Sequence, residues 1–427
     1  MNYKKRFIIP LLISSYIGMP QLNASQLDHD FIESEANRIY HELVEFRRDL
    51  YAHPEASGEE KRTSAKVAQY LLHLGLEVKT NVGGYGVVGI LKGGKEGKRI
   101  AWRADMDAAY FEYSHDDHIY GEHNALKHVC GHDVHTAIGL GIANVLSQKV
   151  DDLSGTVYFL FQPAEENQRG AKAMISDGLY ELIEPDEIYG LHVAPMATGL
   201  VSTRSGNVFA HARRIRISFD GVEDSEAITQ LVGSAINDSI RVKEKVKFDN
   251  LNNITDSDLG ISNPDTIYQD YVTFHSALHT EKLAKELNFG TEVYLSNLQE
   301  LDHVVAQIKQ KIDATEYKDR LRSVEYFHER EGVDNNEALV KSSTAILSKL
   351  FGDQVISESF GQMPLASEDF GHFQRKVPGV YFFIGASNER LGISAFPHMP
   401  EFSVDEMVIQ VGVSYFASLI FERVNSQ

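Results

Sequence analysis

The 427-residue chain contains a single cysteine, Cys130, which excludes an internal disulfide framework and leaves that thiol idle, intermolecular or a metal ligand. Cationic charge is also scarce. Against 61 Asp and Glu there are 41 Lys and Arg, a formal charge of −20, which argues against nucleic acid or an anionic membrane as partner. No long hydrophobic run follows the N-terminus, so no stable membrane insertion is expected. Low-complexity tracts and repeats at solenoid periods are missing too. What remains, 43% apolar and 24% charged residues, is the composition of a soluble globular protein. It is too long for one hydrophobic core, so two domains are expected.

The N-terminus is a different kind of sequence. Lys4, Lys5 and Arg6 precede the apolar run Phe7 to Met19, and a more polar stretch leads to Ala24 and Ser25. This order predicts a cleaved secretory signal peptide over residues 1–24. The run falls short of the ~20 apolar residues of a membrane span, and Pro10 and Pro20 interrupt it. A secreted or periplasmic protein is expected.

Apolar residues at helical spacing predict helices over Phe31–Leu50 and Thr63–Leu74, with breakers from Ala52 to Gly58 between them. Strands are predicted at Gly86–Leu91, Ile100–Arg103, Thr156–Gln162 and Glu187–His192, with a small-residue helix at Gly139–Leu146. Apolar strands alternating with helices indicate an α/β fold with a mixed sheet. After residue 212 the order becomes βαββαβ: Arg214–Phe219, Asp224–Ile240, Ile267–Phe274, Gly290–Ser296, Leu301–Ile312 and Ser323–Phe327. That is a ferredoxin-like unit. The α/β texture then returns, with a helix over Asn335–Phe351, a strand over Val380–Ile384 and a final helix. The expectation is a discontinuous larger domain, 28–212 and 323–427, with a small domain, 213–322, inserted as a lid. Residues 241–266, rich in Asn, Asp and Ser, are expected to be a surface excursion of the lid.

Three stretches suggest chemistry. His128-Val129-Cys130-Gly131-His132-Asp133-Val134-His135 puts three histidines and the lone cysteine within eight residues. Cys130 and His132, separated by glycine, can turn toward one borderline-soft cation such as zinc. The alternative is a helix start capped by Asp133 with solvated histidines. Phe161-Gln162-Pro163-Ala164-Glu165-Glu166 ends an apolar strand. Neighbouring side chains on an extended chain face opposite ways, so one glutamate can bind metal while the other acts as general base. An exposed acidic turn is the alternative. His192 and His398 sit at strand or loop ends, where a lone histidine is more often structural. With Cys130, His132 and a glutamate they complete five donors, enough for two metals sharing a bridge.

These segments make the chain recognisable. It resembles the metallo-aminoacylase and carboxypeptidase superfamily, in the branch of hippurate hydrolase, bacterial N-acyl-amino-acid amidohydrolases and plant auxin-conjugate hydrolases. The matching segments are Phe46-Arg47-Arg48-Asp49-Leu50 with His53-Pro54-Glu55, Arg103-Ala104-Asp105-Met106-Asp107-Ala108, Cys130-Gly131-His132-Asp133 and Gln162-Pro163-Ala164-Glu165-Glu166. Gly190-Leu191-His192-Val193, Ser367-Glu368-Asp369-Phe370 and His398 with Pro400 and Phe402 follow in family order.

The resemblance implies two divalent metal ions, zinc or manganese, held by Cys130, His132, Glu166, His192 and His398. Cys130 would bridge, with His132 and His192 on one ion and Glu166 and His398 on the other. Glu165 would be the general base, and Asp105 or Asp107 would orient the ligands. The implied reaction is hydrolysis of an N-acyl amino acid or short peptide at a C–N bond next to a free carboxylate. Two other outcomes stay open: a metal-binding homologue with little or no activity, and a secreted dipeptidase or carboxypeptidase. A homodimer formed through the lid is a further implication.

The lid departs from its relatives, which carry Gly-Gly-His after the first lid strand. Phe219-Asp220-Gly221-Val222-Glu223-Asp224-Ser225 holds no histidine, leaving His211, His275 and His279 as candidates for that role. If Glu223 and Asp224 faced the site, they would repel a substrate carboxylate.

Overall fold

The computed structural model describes residues 24–111, 125–275, 277–330 and 332–426. The expected signal peptide, apart from Ala24, lies outside them. The larger domain is built on an eight-stranded mixed sheet. Its order is Glu77–Val82, Gly86–Lys92, Ser154–Gln162, Lys95–Asp105, Glu187–Ala197, Gly379–Ser387, Val201–Thr203 and Ile356–Glu358. The four strands from Ser154–Gln162 to Gly379–Ser387 are mutually parallel. Sequence patterning missed Glu77–Val82, Val201–Thr203 and Ile356–Glu358. The last two have only three residues each, too few for any period to show.

The parallel strands are buried on both faces, and alternate residues serve two cores. Ile100, Trp102 and Ala104 face the helices Ala24–Ala52, His132–Ser147 and Met407–Asn425. On the other face Ala101 joins Phe370 and Tyr381. The three helices approach closely at Gly141, where a Cβ would lie 2.3 Å from Val413 Cγ2 and 2.7 Å from Leu43 Cδ1. The expectation that no later segment could cross a bilayer needs correcting. Met407–Asn425 is long and apolar enough, yet 67% of that window is buried inside the protein, where an apolar core helix belongs.

The inserted domain is a five-stranded sheet with every pairing antiparallel. His211–Asp220 lies between Leu321–Glu329 and Glu286–Leu295, and the outer position beyond Glu286–Leu295 is shared by Val272–Phe274 and His279–Lys282. This is the ferredoxin-like order with its second strand broken in two. Helices Ser225–Asp238 and Leu301–Asp313 close a separate core around Ile217, Phe219, Val232, Phe289 and Ile308.

Two expectations fail locally. Ile267 and Tyr268, read as strand, instead join Phe248, Ile254, Ile261 and Tyr271 in a satellite core. The stretch 241–266 is accordingly no mere surface excursion, since it carries the helix Lys245–Phe248 and buries Phe248 and Ile254 completely or nearly so. Its apolar residues are too widely spaced to register as a periodic face.

Candidate metal centre

The sequence-predicted site residues converge at the carboxyl ends of the parallel strands, where open α/β sheets bind ligands. Lys95–Asp105 delivers Asp105 and Asp107, Ser154–Gln162 leads into Glu165 and Glu166, and Glu187–Ala197 carries His192. Cys130 and His132 flank Gly131 at the start of His132–Ser147. Gly131 has φ +88°, and a Cβ there would lie 2.5 Å from Val193 Cγ2, so glycine is required where the chain turns into the helix. His132, Asp133 and His135 are all buried. Asp133 pairs with Arg47 at 2.6 Å, which rules out a solvated helix cap.

The hydrogen bonds set the direction of each imidazole. His132 Nδ1 lies 2.9 Å from the Asp107 carbonyl and 3.1 Å from Asp107 Oδ1, while its buried Nε2 has no hydrogen-bond partner. His192 Nδ1 donates to the Val193 carbonyl at 2.7 Å, which leaves Nε2 as an acceptor 3.2 Å from Cys130 Sγ. His398 Nε2 lies 3.4 Å from Glu166 Oε2, and Glu166 Oε1 is buried without a partner. His398 has φ +58°, a left-handed conformation that costs a residue with a Cβ and recurs at functional sites.

Donor atoms of Cys130, His132 and His192 lie within 4.8 Å of one another, and so do those of Cys130, Glu166 and His398. Cys130 Sγ is common to both groups. Thiolate, imidazole and carboxylate donors around two orphaned buried atoms fit divalent transition metals. His135 is already occupied, because Nδ1 donates to Asp105 Oδ1 at 2.6 Å and Nε2 accepts the Val193 N–H at 2.9 Å. Asp105 and Asp107 thus touch imidazoles rather than line the cavity.

Burial pushes the Cys130 thiol well above its usual range, reinforced by Glu166. Burial also raises Glu166 to about 7. Glu165 is held well above the usual carboxylate range by burial, then by Glu368 and Asp369. For His132 burial opposes protonation, but Asp105, Cys130 and Asp107 together raise it well above 6.5.

Beneath the cluster, the fully buried Arg103 donates to Asp105 Oδ2 at 2.6 Å, Glu368 Oε1 at 2.9 Å, Asp369 Oδ1 at 3.1 Å and Gln162 Oε1 at 2.9 Å. Tyr381 donates to Glu368. Arg103→Met leaves these carboxylates without their buried cation, a change expected to cost ~3–5 kcal/mol. Denaturant unfolding of the variant beside wild type measures it, and a loss under ~1 kcal/mol would contradict this account.

Above the donors opens a cavity of about 360 Å³. Phe209, Met363, Leu365 and Phe396 line it from the larger domain and Leu251 and Ile254 from the lid. Arg330 is the one cation lining it among the described residues; its side chain donates to Ser367 Oγ at 2.7 Å and pairs with Glu292 at 2.9 Å. Sequence reasoning missed Arg330, because nothing local separates it from the charges around it. The acidic pair does not face this cavity. Glu223 and Asp224 are exposed and lie 3.9 and 3.5 Å from Arg320. His211 lies against Asn207, and His275 and His279 are exposed on the lid. None of the three lines the cavity.

A mixed α/β domain with a ferredoxin-like lid and a Cys/His/Glu cluster at its strand ends, buried apart from the His398 side, defines a metal-dependent hydrolase. The chain belongs to peptidase family M20/M25/M40, whose profile matches residues 101–422. It is 28% identical over 428 residues to an IAA-amino acid hydrolase of Arabidopsis thaliana, covering 96% of this chain and 92% of that one. It is 29% identical over 411 residues to thermostable carboxypeptidase 2 of Saccharolobus solfataricus, covering 92% and 98%. Among solved structures, a dinuclear metal-binding M20 peptidase of Bacillus subtilis superposes with a TM-score of 0.70 at 22% identity, covering 92% of this chain and 99% of that one.

Proposed function

We propose that this protein is a two-metal amidohydrolase that cleaves an N-acyl amino acid or peptide-like amide beside a free carboxylate. The observation that carries this reading is the sharing of Cys130 Sγ by two donor groups on the cavity floor. His132 and His192 would hold one ion and Glu166 and His398 the other, zinc or manganese, with the Cys130 thiolate between them. Two such ions supply a water of lowered pKa and polarise a carbonyl.

The chain's own groups do the rest. Glu165 Oε1 accepts from Gln168 Nε2 at 2.8 Å, and Oε2 lies 3.8 Å from His132 Nε2, so one oxygen is steadied while the other faces the donor cluster. A buried carboxylate whose proton affinity is raised both takes a proton from water and returns it to a leaving amine. Arg330 pairs with the substrate carboxylate. Relatives named for IAA-amino acids and for carboxypeptidase activity support that substrate polarity. Export to the periplasm or medium through residues 1–24, and dimerisation through the lid, belong to the same reading.

Metal analysis of purified protein, with hydrolysis of N-acyl-amino-acid and dipeptide panels before and after chelation, tests it. Two ions per chain and chelator-sensitive hydrolysis are expected; hydrolysis that survives complete metal removal would sink the reading. Arg330→Met should raise KM for carboxylate substrates roughly 10- to 100-fold, the value of a charge-assisted hydrogen bond. The same substrates capped as amides should show no such change, and equal effects on both would remove Arg330 from this role.

A further inference from the structure

We propose that lid residues Leu251 and Ile254 determine specificity by walling an apolar subsite, which receives an apolar group carried by the substrate. This rests on the amidohydrolase reading of the site.

The segment that carries them is an ordered element. Its polar residues bond its own backbone: Asn250 Oδ1 accepts from Asn252 N at 3.2 Å, Asp256 Oδ1 from Asp258 N at 2.8 Å and Leu259 N at 3.0 Å, and Asn263 Oδ1 from Asp265 N at 2.8 Å. Its apolar residues fold inward. The Phe248 ring lies 5.1 Å from both Tyr268 and Tyr271, and Ile254 is 2% exposed.

The segment is also fastened to the larger domain. The Ile261 carbonyl accepts from Phe360 N at 2.7 Å and Gly361 N at 3.1 Å, and the Tyr268 carbonyl accepts from Gln362 N at 3.0 Å. The buried Gln362 side chain donates to the Ser296 carbonyl at 3.1 Å. A Cβ on Gly361 would touch Ile261, Thr266 and Tyr268 at 3.1 Å each, so the two surfaces meet with no room between them. Backbone hydrogen bonds of this kind fix where a wall stands more firmly than side-chain contact alone.

Leu251 and Ile254 thereby join Met363, Leu365 and Phe396 in one packed apolar cluster, which with Phe209 lines a cavity whose floor is the donor cluster. These six side chains offer nothing to a polar group. Arg330 is placed for a carboxylate, so the complementary substrate carries a carboxylate and, elsewhere, an apolar group of a few carbons. That group is either the acyl chain or the side chain of the released amino acid, and the surface suits both chemically.

The test compares wild type, Leu251→Gln and Leu251→Trp on two series, N-acyl glycines from acetyl to hexanoyl and N-acetyl amino acids from glycine through leucine to phenylalanine. Leu251 is half-buried, so both variants should fold. In wild type, kcat/KM should climb about 4-fold per buried methylene along one series, and that series identifies the occupant. Leu251→Gln should flatten the climb, and Leu251→Trp, which fills the space, should invert it. A flat wild-type profile in both series, or an unchanged slope in Leu251→Gln, would overturn the subsite. If no compound is hydrolysed, the amidohydrolase reading has failed. Calorimetric Kd values for acetylglycine and hexanoylglycine then decide the subsite separately: tighter hexanoyl binding that Leu251→Gln abolishes supports it, and equal binding of both compounds overturns it.

Discussion

Glu165→Gln is expected to lower kcat by ~10²–10⁴ while leaving the metal content of the protein unchanged. Glu166→Gln, one residue along, is expected to lose metal first and activity as a consequence. The contrast follows from where the two side chains point after the strand Ser154–Gln162. Glu165 is steadied by Gln168, and burial, then the acidic side chains of Glu368 and Asp369, favour a proton on it. Glu166 has one buried oxygen without a partner and the other 3.4 Å from His398 Nε2, as a carboxylate waiting for a cation would. Glutamine keeps the shape of either residue but cannot cycle a proton and is a weaker donor to metal. Metal analysis and single-turnover rates on both variants separate the roles. Identical metal content with normal rates in both would show that the assignment is wrong.

The second large effect concerns Cys130. Its Sγ belongs to both donor groups, so Cys130→Ala is expected to weaken both ions, whereas His192→Ala or His398→Ala should weaken mainly one. Loading metal should also release protons. The thiol, which burial holds protonated at neutral pH, must give up its proton to bind; His132, raised well above 6.5, must do the same; and Glu166, at about 7, contributes a fraction. Calorimetric titration with zinc in buffers of different ionisation enthalpy counts these protons. More than one released per loaded chain at pH 7 is expected, falling in Cys130→Ala. Thiol labelling provides the complementary measurement. With metal removed, labelling should rise with pH as the thiolate forms, and with metal bound it should stay slow because the sulfur is shielded. Equal, fast labelling in both states would rule out a ligand role.

How much of this was legible beforehand varies with the range of the interactions. The insertion of a βαββαβ unit could be read because each of its long elements carries its own period, as Arg214–Phe219 and Leu301–Ile312 do. The second lid strand was placed too early, because Ile267 and Tyr268 are as apolar as a strand requires and only their packing on Phe248 and Ile254 diverts them. Sequence alone leaves open whether Glu223 and Asp224 face the substrate. Their ion pairing with Arg320 depends on the pairing of Phe219 with Leu321, which sequence spacing does not encode.

What the sequence by itself determined is the chemistry available: one thiol, a few histidines and paired glutamates in short segments whose local turns, such as the positive φ of Gly131, are written into neighbouring residues. Only the tertiary structure decided which of those groups are free to act. His135 and His132 stand three residues apart on one helix and look alike in sequence. Yet Asp105 and the Val193 N–H consume both nitrogens of His135, while His132 keeps Nε2 bare. The cavity was equally hidden, because Leu251 and Ile254 lie far from Arg330 in sequence, and all three meet the strand ends only after the chain has closed on itself. Local conformation depends on near neighbours and can be read along the chain, but hydrogen-bond saturation and enclosure depend on partners far away in sequence, 30 and 58 residues for His135.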